Sequence, residues 1–256
     1  MAYIEIRDIS KSYSDANDGD IQVLDSLSLD IRQGEFVALF GPNGCGKTTL
    51  LNIIAGLIDY DHGSISIDGK EPAESRIGFV FQNYIDSLFP WLKNVDNIGF
   101  SLDSSYGAKK RRRNYVEEFV REMGLGSLPL HKYPYQCSGG QQQLVALVRE
   151  LIYKPEVLLM DEPFVSLDYD RRITQQQSLL KSWEKTNATI LFISHELDEA
   201  IYLSDRLFLL SQRPAKIVAT YEITLPRPRK IEMLGQEEFF KLKVPILRQF
   251  MEVIGR

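Results

Sequence analysis

The stretch FVALFGPNGCGKTT, from Phe36 to Thr49, holds the pattern that decides the fold. Its first five residues are all apolar, as expected of a β-strand that is covered on both faces, and Gly41 ends the run. A helix is predicted to follow from Lys47 to Gly56. Between the two lies a match to G-x-x-x-x-G-K-[ST], in which backbone amides and a helix N-terminus surround phosphate oxygens. The stretch therefore predicts a phosphate-binding α/β domain.

The residue types of this loop suggest roles for its side chains. Lys47 would reach the β- and γ-phosphates of a nucleotide, and the Thr48 hydroxyl would bind Mg²⁺. The glycines allow the backbone to turn its amides inward. The predicted phosphate-loop residues are Gly41, Pro42, Asn43, Gly44, Cys45, Gly46, Lys47, Thr48 and Thr49.

Two further apolar runs, 157–160 and 189–194, are separated by a predicted helix over 170–185, which is the βαβ rhythm of a parallel sheet. The first run ends at Asp161 and Glu162, and the second at His195. Ligands of open α/β sheets bind at the carboxyl ends of strands, so these polar residues are expected at one common site. Asp161 would hold Mg²⁺ through water, and Glu162 would orient or deprotonate the attacking water. The alternative is that the two acids cap the next helix.

The remainder of the chain is predicted to add strands before residue 82 and helices over 83–154. Ser138 and Gln141 form a capping box at the start of one of these helices. Two consecutive glycines after Ser138 weaken a helix start, which suggests the close approach of an anion. A C-terminal segment is amphipathic, and Pro245 is expected to kink or split it. Its apolar face consists of Phe240, Val244, Leu247, Met251 and Ile254.

Composition limits the class of protein. The 256 residues are 44% hydrophobic and carry a net charge of −5, which is typical of a globular protein and argues against a nucleic-acid footprint over the whole surface. No apolar run approaches the roughly 20 residues of a membrane span. The start, MAYIEIRDIS, lacks the apolar stretch of a signal peptide, so a cytoplasmic chain is expected. The basic run 109–113 is interpreted as a solvated loop that leads into a helix, with contact to acidic lipid or a partner as the alternative.

Taken together, the motifs resemble those of the nucleotide-binding subunit of an ATP-binding cassette (ABC) transporter. They occur in the family's order between residues 3 and 229. The resemblance implies a P-loop NTPase of ABC type, with a mixed central sheet, an antiparallel β-subdomain and an inserted α-helical subdomain. It divides the chain into an ABC ATPase domain (1–229) and a C-terminal helical tail (230–256). Within that domain, 1–82 and 155–225 form the core and β-subdomain, and 83–154 form the helical subdomain. The motifs are GPNGCGKTT, Gln82, CSGGQQQ (137–143), LLMDEP (158–163), SLD (166–168) and His195.

The resemblance also implies roles for single residues and names the cofactors as ATP and Mg²⁺. Tyr13 would stack on adenine, Gln82 would contact Mg²⁺ and sense a membrane partner, and His195 would contact the γ-phosphate. Asp168 would link the two ATP sites of a head-to-tail dimer. The ATP held by the opposite subunit would be bound by the signature residues Ser138, Gly139, Gly140 and Gln141.

Three segments, 88–92, 210–217 and 225–229, resemble importers of nitrate, sulfonates, taurine and bicarbonate. The implied partners are integral membrane permease subunits, a second identical or related ATPase subunit and, indirectly, a periplasmic solute-binding protein, with no nucleic acid. The chain would then lie peripherally on the cytoplasmic face of the inner membrane. Phe89 and Trp91 would form a docking groove for a permease helix, and core packing is the alternative.

Some positions differ from the family pattern. Cys137 replaces the usual leucine, Leu144 replaces an arginine, and Val165 and Ser166 replace a small pair. None of these changes removes a phosphate or metal ligand. Two other functions stay open: a soluble ABC-type ATPase of DNA repair or translation, and a regulatory module without a transport partner.

The two cysteines, Cys45 and Cys137, are too few for a disulfide framework. Both are predicted near helix N-termini, where a low thiol pKa is expected. In the head-to-tail dimer that the resemblance implies, mild oxidation would couple Cys45 of one chain to Cys137 of the other.

Overall fold

A computed structural model describes residues 2–15, 19–102, 107–165 and 167–255, and it confirms the predicted α/β fold. The strands are β1 (Ile4–Asp15), β2 (Gly19–Ile31), β3 (Phe36–Phe40), β4 (His62–Ile67), β5 (Ile77–Val80), β6 (Val157–Asp161), β7 (Thr189–Ile193), β8 (Arg206–Leu210) and β9 (Ile217–Glu222). The helices are α1 (Lys47–Ile54), α2 (Tyr84–Ser87), α3 (Asn94–Ile98), α4 (Lys109–Glu122), α5 (Gly139–Ile152), α6 (Tyr169–Thr186), α7 (Leu197–Leu203) and α8 (Glu237–Ile254).

The central sheet has six strands in the order β5-β6-β7-β3-β8-β9. All neighbours are parallel except β8 and β9, which pair antiparallel, so the sheet is mixed as predicted. Strands β3, β6, β7 and β8 are buried along their whole length, because helices or other strands cover both faces. A second, antiparallel sheet has the order β2-β1-β4. The carboxyl ends of β5, β6, β7 and β3 therefore lie side by side.

The segment between β5 and β6 is helical and has an apolar core of its own, built from α2 to α5. The basic run 109–113 is not a loop leading into a helix, because α4 begins at Lys109 itself. A block of like charge is typical of a solvated loop, and cations at a helix N-terminus also oppose the helix dipole. Here Asp96 of α3 offsets that cost, since it pairs with Arg113 at 2.5 Å and with Lys109 at 3.5 Å.

The C-terminal helix α8 continues through Pro245, so the split that was expected as one of two outcomes, a kink or a split, does not occur. Pro245 lies on the exposed side, where water can satisfy the carbonyl that loses its amide partner. Phe239 and Ile246, both fully buried, attach the opposite side to the core. The predicted apolar face is exposed to solvent, with 40% to 57% of each residue accessible. We call this set the outer face of α8: Phe240, Val244, Leu247, Met251 and Ile254.

Among the described residues, no helix has the length and apolar character needed to cross a bilayer.

Candidate nucleotide-binding site

The phosphate loop connects the end of β3 to the start of α1. Gly46 has φ of +118°, and a Cβ there would lie 2.8 Å from Val23 Cγ1, so only glycine fits. The Lys47 ammonium is buried and donates hydrogen bonds to the carbonyls of Gly41 (2.9 Å) and Pro42 (2.7 Å). Burial lowers the pKa of Lys47, while the carboxylates of Glu162 and Asp161 oppose that shift. The cation is thus held in the loop by weak acceptors that a phosphate can replace.

A cavity of about 430 Å³ opens above this loop. Four neighbouring strands contribute to its wall: β3 through the loop, β5 through Gln82, β6 through Glu162 and β7 through His195. Its lining includes most of the nucleotide and catalytic residues predicted from the sequence. The lining residues are Tyr13, Ile21, Val23, Asn43, Gly44, Gly46, Lys47, Thr48, Thr49, Gln82, Glu162, His195 and Arg213.

The Asp161 carboxylate, at the end of β6, lines an adjoining cavity together with Thr48 and Gln82. Asp161 is 3% exposed, and its Oδ1 atom has no hydrogen-bond partner among the described residues. Burial raises the pKa of Asp161, and the nearby Thr48 hydroxyl partly offsets that rise. A carboxylate, a hydroxyl and an amide are oxygen donors of the kind that Mg²⁺ prefers. The residues present therefore fit the predicted metal.

Glu162 lies at the centre of the polar groups. Its carboxylate accepts a hydrogen bond from Gln82 Nε2 at 3.0 Å and pairs with His195 Nε2. Its φ of +49° is unusual for a residue other than glycine, and this backbone turn directs the chain away from β6 directly after Asp161. The structure thus brings together three residues that come from three different strand ends. It favours a shared site over the alternative in which Asp161 and Glu162 only cap a helix.

Comparison with known proteins identifies the family. Residues 24–165 match the family model described as ABC transporter. The chain belongs to the ABC transporter family. It is an ABC-type ATPase that binds ATP, as the family match and the fold together show.

Individual relatives of this cassette are also informative. It is 40% identical over 250 residues to an aliphatic sulfonates import ATP-binding protein of Bacillus cereus, covering 96% of this chain and 95% of the relative. It is 36% identical over 257 residues to a nitrate transport protein of Klebsiella oxytoca, covering 97% and 96%. A bicarbonate transport ATP-binding protein of Synechococcus elongatus is 38% identical over 252 residues, which are 96% of this chain and 37% of that protein.

A solved structure shares the fold of this cassette with a TM-score of 0.76 and 28% identity, over 87% of this chain and 100% of the other. It is described as a dimeric structure of a post-hydrolysis state of the ATP-binding cassette MJ0796, bound to ADP and Pi.

The signature residues of this cassette lie away from the cavity. Ser138 precedes α5, and its amide donates to Gln141 Oε1 at 3.1 Å, which is one half of the predicted capping box. A Cβ on Gly140 would lie 2.8 Å from Leu167, so packing within the chain explains this glycine. None of Ser138, Gly139, Gly140 and Gln141 is among the residues that line the cavity.

Asp168 lies at the start of α6. Its carboxylate accepts a hydrogen bond from the Arg171 amide at 3.0 Å, which caps the helix. The Arg171 side chain in turn donates to Ser138 Oγ at 3.3 Å. The predicted linking residue is therefore joined to the signature through one arginine. Ser166, two positions earlier, lies outside the described residues.

The prediction of a low thiol pKa is wrong for Cys45. Its thiol is 1% exposed within an apolar cluster, and burial raises the pKa of that thiol instead of lowering it. Cys137 is half-buried, and its sulfur accepts a hydrogen bond from Asn94 Nδ2 at 3.2 Å. Because the Cys45 sulfur is enclosed, the expected crosslink to a second chain could form only if the phosphate loop opened.

Sequence reasoning missed Arg213 as a residue of the site. Its guanidinium donates twice to the carbonyl of Gly44, at 3.2 and 2.8 Å, and lines the cavity. Arg213 follows β8, which pairs with β3, and this neighbour relation places it beside the phosphate loop. The sequence marked 210–217 only as a family resemblance, because nothing in it predicts which strand lies beside β3.

Proposed function

We propose that this cassette is the ATP-hydrolysing subunit of an importer for a small anion such as nitrate, a sulfonate, taurine or bicarbonate. The names of its relatives support the import of such anions. No residue of the cassette would touch the solute, so the cargo class rests on those relatives alone. The observation that carries the ATPase site is the meeting of four residues, Lys47, Asp161, Glu162 and His195, at the ends of three adjacent strands, β3, β6 and β7.

ATP would occupy the cavity with its phosphates on the loop and its adenine against Tyr13, which is 41% exposed at the rim. Lys47 would exchange the carbonyls of Gly41 and Pro42 for phosphate oxygens, which are stronger acceptors for a cation. Thr48, Gln82 and, through water, Asp161 would hold Mg²⁺. The ion would supply Lewis-acid stabilisation of charge on the phosphates.

Glu162 would act on the attacking water. In the structure its carboxylate is held by Gln82 and His195. These two groups are also the proposed contacts for Mg²⁺ and the γ-phosphate, so ATP would draw them off Glu162. The carboxylate would then be free to accept a proton from water placed in line with the γ-phosphate. Glu162 would thus gain its partner water only when substrate is in place.

A second subunit would complete the site. Ser138, Gly139, Gly140 and Gln141 lie outside the cavity of their own chain, and the related cassette is dimeric. In a head-to-tail pair they would contact the ATP of the opposite chain through the N-terminus of α5, which favours anions. Asp168, joined to Ser138 through Arg171, would couple the two sites. Two ATP molecules would close the dimer, and hydrolysis would release it.

An aromatic patch next to the Gln82 segment would dock the permease at the cytoplasmic face of the inner membrane. Phe89 lies 4.4 Å from Phe100 and 5.7 Å from Trp91 between ring centroids, and Trp91 is 71% exposed. Core packing therefore does not explain Trp91. Arg149 of α5 donates to the carbonyl of Ser87 at 2.5 Å, which ties this patch to the helix that carries the signature. Movement at the nucleotide would reach the permease through this contact. A periplasmic binding protein would deliver the anion to that permease.

The test is Glu162→Gln. If Glu162 activates water, turnover should fall by about a hundredfold or more, and ATP affinity should stay within a fewfold of wild type. The unhydrolysed ATP should trap a dimer, measured as mass by light scattering with ATP and Mg²⁺. Glu196→Gln is the matched control, because Glu196 follows the neighbouring strand, is exposed and pairs with Arg172. A Glu162→Gln chain that hydrolyses ATP normally and stays monomeric would contradict the assignment.

A further inference from the structure

A second cavity, of about 280 Å³, lies at the opposite edge of the central sheet. Part of its wall comes from α6 and part from the chain that follows β9. The cavity is remote from the phosphate loop. Its buried residue Arg229 contacts Ser204 and Asp205, which immediately precede the amino end of β8, whereas the phosphate loop lies at the carboxyl end of the neighbouring strand β3. The lining residues are Gln177, Leu180, Lys181, Glu184, Pro228, Arg229, Lys230, Ile231 and Glu232.

Arg229 is the unusual member of this lining. Its side chain is 1% exposed, and Nη2 donates to the carbonyl of Ser204 at 2.8 Å. Its Nε and Nη1 atoms have no acceptor among the described residues. Its ion-pair partner, Asp205, is 3.8 Å away and also binds Arg227 at 2.7 Å. Burial and the Arg227 charge lower the pKa of Arg229 to about 10. A buried guanidinium, that of Arg229, and a partly buried one, that of Arg227, therefore share one carboxylate.

Two lysines at the mouth of the cavity contribute further positive charge. Lys181 and Lys230 are exposed, and neither forms an ion pair within the described ranges. Glu184 and Glu232 are also on the wall, so the lining holds three cations and two acids. Native proteins rarely leave buried charged donors without acceptors, and a guanidinium matches the geometry of an oxyanion. One anion with several acceptor oxygens would satisfy these donors.

We propose that this cavity binds a small inorganic oxyanion between Arg229, Lys181 and Lys230. The anion would accept hydrogen bonds from the two unpartnered donors of Arg229, after a shift of this buried side chain toward the cavity. It would join residues 228–232 to α6, the helix whose first turn is capped by Asp168. Phosphate released by hydrolysis and the imported anion are the two possible sources. The site does not depend on the nucleotide chemistry proposed above.

Thermal unfolding of the full chain tests this site. Phosphate, sulfate, nitrate and bicarbonate are titrated at constant ionic strength against chloride, in the Lys47→Met background so that the phosphate loop contributes little. An occupied site should give a saturable rise in Tm of about 3 °C. A response to phosphate alone identifies the hydrolysis product as the source. A response to nitrate or sulfate identifies the cargo class.

The variant that decides the location is the double change Lys181→Met with Lys230→Met, because Arg229 lies in the core and its replacement risks misfolding. The double variant should reduce the oxyanion response at least tenfold in apparent affinity. The matched control is Lys70→Met with Lys110→Met, two exposed lysines without ion pairs among the described residues, and it should keep the full response. The proposal is overturned if no oxyanion exceeds chloride, or if the response survives unchanged without Lys181 and Lys230.

Discussion

The two edges of the central sheet use buried charge in opposite ways. At the carboxyl edge, Glu162 is held by Gln82 and His195, and Lys47 by two carbonyls, all groups that a nucleotide can replace. At the amino edge, Glu35 and Arg206 form an ion pair at 3.0 Å, with side chains 5% and 7% exposed. Arg206 also donates to the carbonyl of Asp30 in β2 and so attaches the antiparallel sheet to β8.

The difference lies in connectivity and not in burial. At the carboxyl edge the charged groups lie in the segments that follow the strands. Their partners there can be exchanged without breaking the sheet. At the amino edge the partners belong to the strands or adjoin them, so exchange would require unfolding. The same sheet thus supports a reactive site at one edge and a structural clamp at the other. The predictions below separate these two roles.

The largest effect is expected for Lys47→Met. Loss of the cation should lower ATP turnover by about a hundredfold to a thousandfold, because transition-state charge on the phosphates loses a fixed donor. The free energy of unfolding should stay equal or rise, since a desolvated ammonium is replaced by an apolar side chain of similar length. A hydrolysis assay over a range of ATP concentrations measures the turnover, and urea denaturation measures the free energy of unfolding. A large loss of stability with normal turnover would show that Lys47 has a structural role, like the ion pair at the amino edge.

Arg206→Met should show the reverse pattern. It leaves the Glu35 carboxylate buried without its partner, which costs about 3 to 5 kcal/mol of unfolding free energy, while ATP affinity of the folded chain stays the same. Burial already raises the pKa of Glu35, and Arg206 opposes that rise. The variant should therefore be most destabilised at neutral and higher pH, where Glu35 would otherwise be charged.

The control for this change is Arg32→Met, because Arg32 pairs with Glu222 at 3.0 Å but both side chains are more than half exposed. Removal of a solvent-exposed pair should cost less than about 1 kcal/mol in urea denaturation. Equal losses for the two variants would show that burial does not distinguish the amino-edge pair.

Sequence alone predicted the carboxyl edge far better than the amino edge. Asp161, Glu162 and His195 come at the ends of apolar runs, and Lys47 belongs to the loop motif that follows another such run. Local pattern plus the rule for parallel strands therefore places them together. Glu35 and Arg206 meet only because β3 and β8 are neighbours, and strand order is not encoded in local pattern. Arg213 was missed for the same reason.

The helices show a second limit of sequence patterns. Local rules predicted a kink or a split at Pro245 and a loop at Lys109. The split and the loop are wrong because tertiary contacts override them. Asp96 neutralises the start of α4, and buried Phe239 and Ile246 hold α8 on both sides of its proline. Propensity is a small energy beside such contacts. The subdomain boundaries inferred from the family remain a prediction.

An intermediate effect is expected from Glu199, which lies behind the His195 segment at the carboxyl edge. Its carboxyl accepts hydrogen bonds from Gln176 at 2.9 Å and from Ser194. Burial is the main cause that raises its pKa to about 7; Glu196 adds to the rise, and Arg172 opposes it. Between about pH 4.5 and 7 the folded chain keeps a proton that the unfolded chain has lost. Stability should therefore fall as pH rises through this window and stay lower above it.

Glu199→Gln should remove that loss, so that the variant exceeds wild type by about 1 to 3 kcal/mol at pH 8 and matches it near pH 4.5. Urea denaturation across pH 4.5 to 8 measures the difference. Glu118→Gln, an exposed position on α4, should leave the slope of stability with pH unchanged. A variant with the slope of wild type would show that Glu199 does not titrate in this range.

The smallest effect is expected on the outer face of α8. Ile246 and Leu247 are neighbours in sequence, but Ile246 is fully buried and Leu247 is 41% exposed. Ile246→Ala should cost about 2 to 5 kcal/mol, whereas Leu247→Ala should stay within about 0.5 kcal/mol. Urea denaturation at two protein concentrations tenfold apart checks both values. If Leu247→Ala costs more than 1 kcal/mol, and more at the higher concentration, a second molecule covers this face in solution. Leu247 would then belong to an interface, because no contact within one chain can make unfolding depend on concentration.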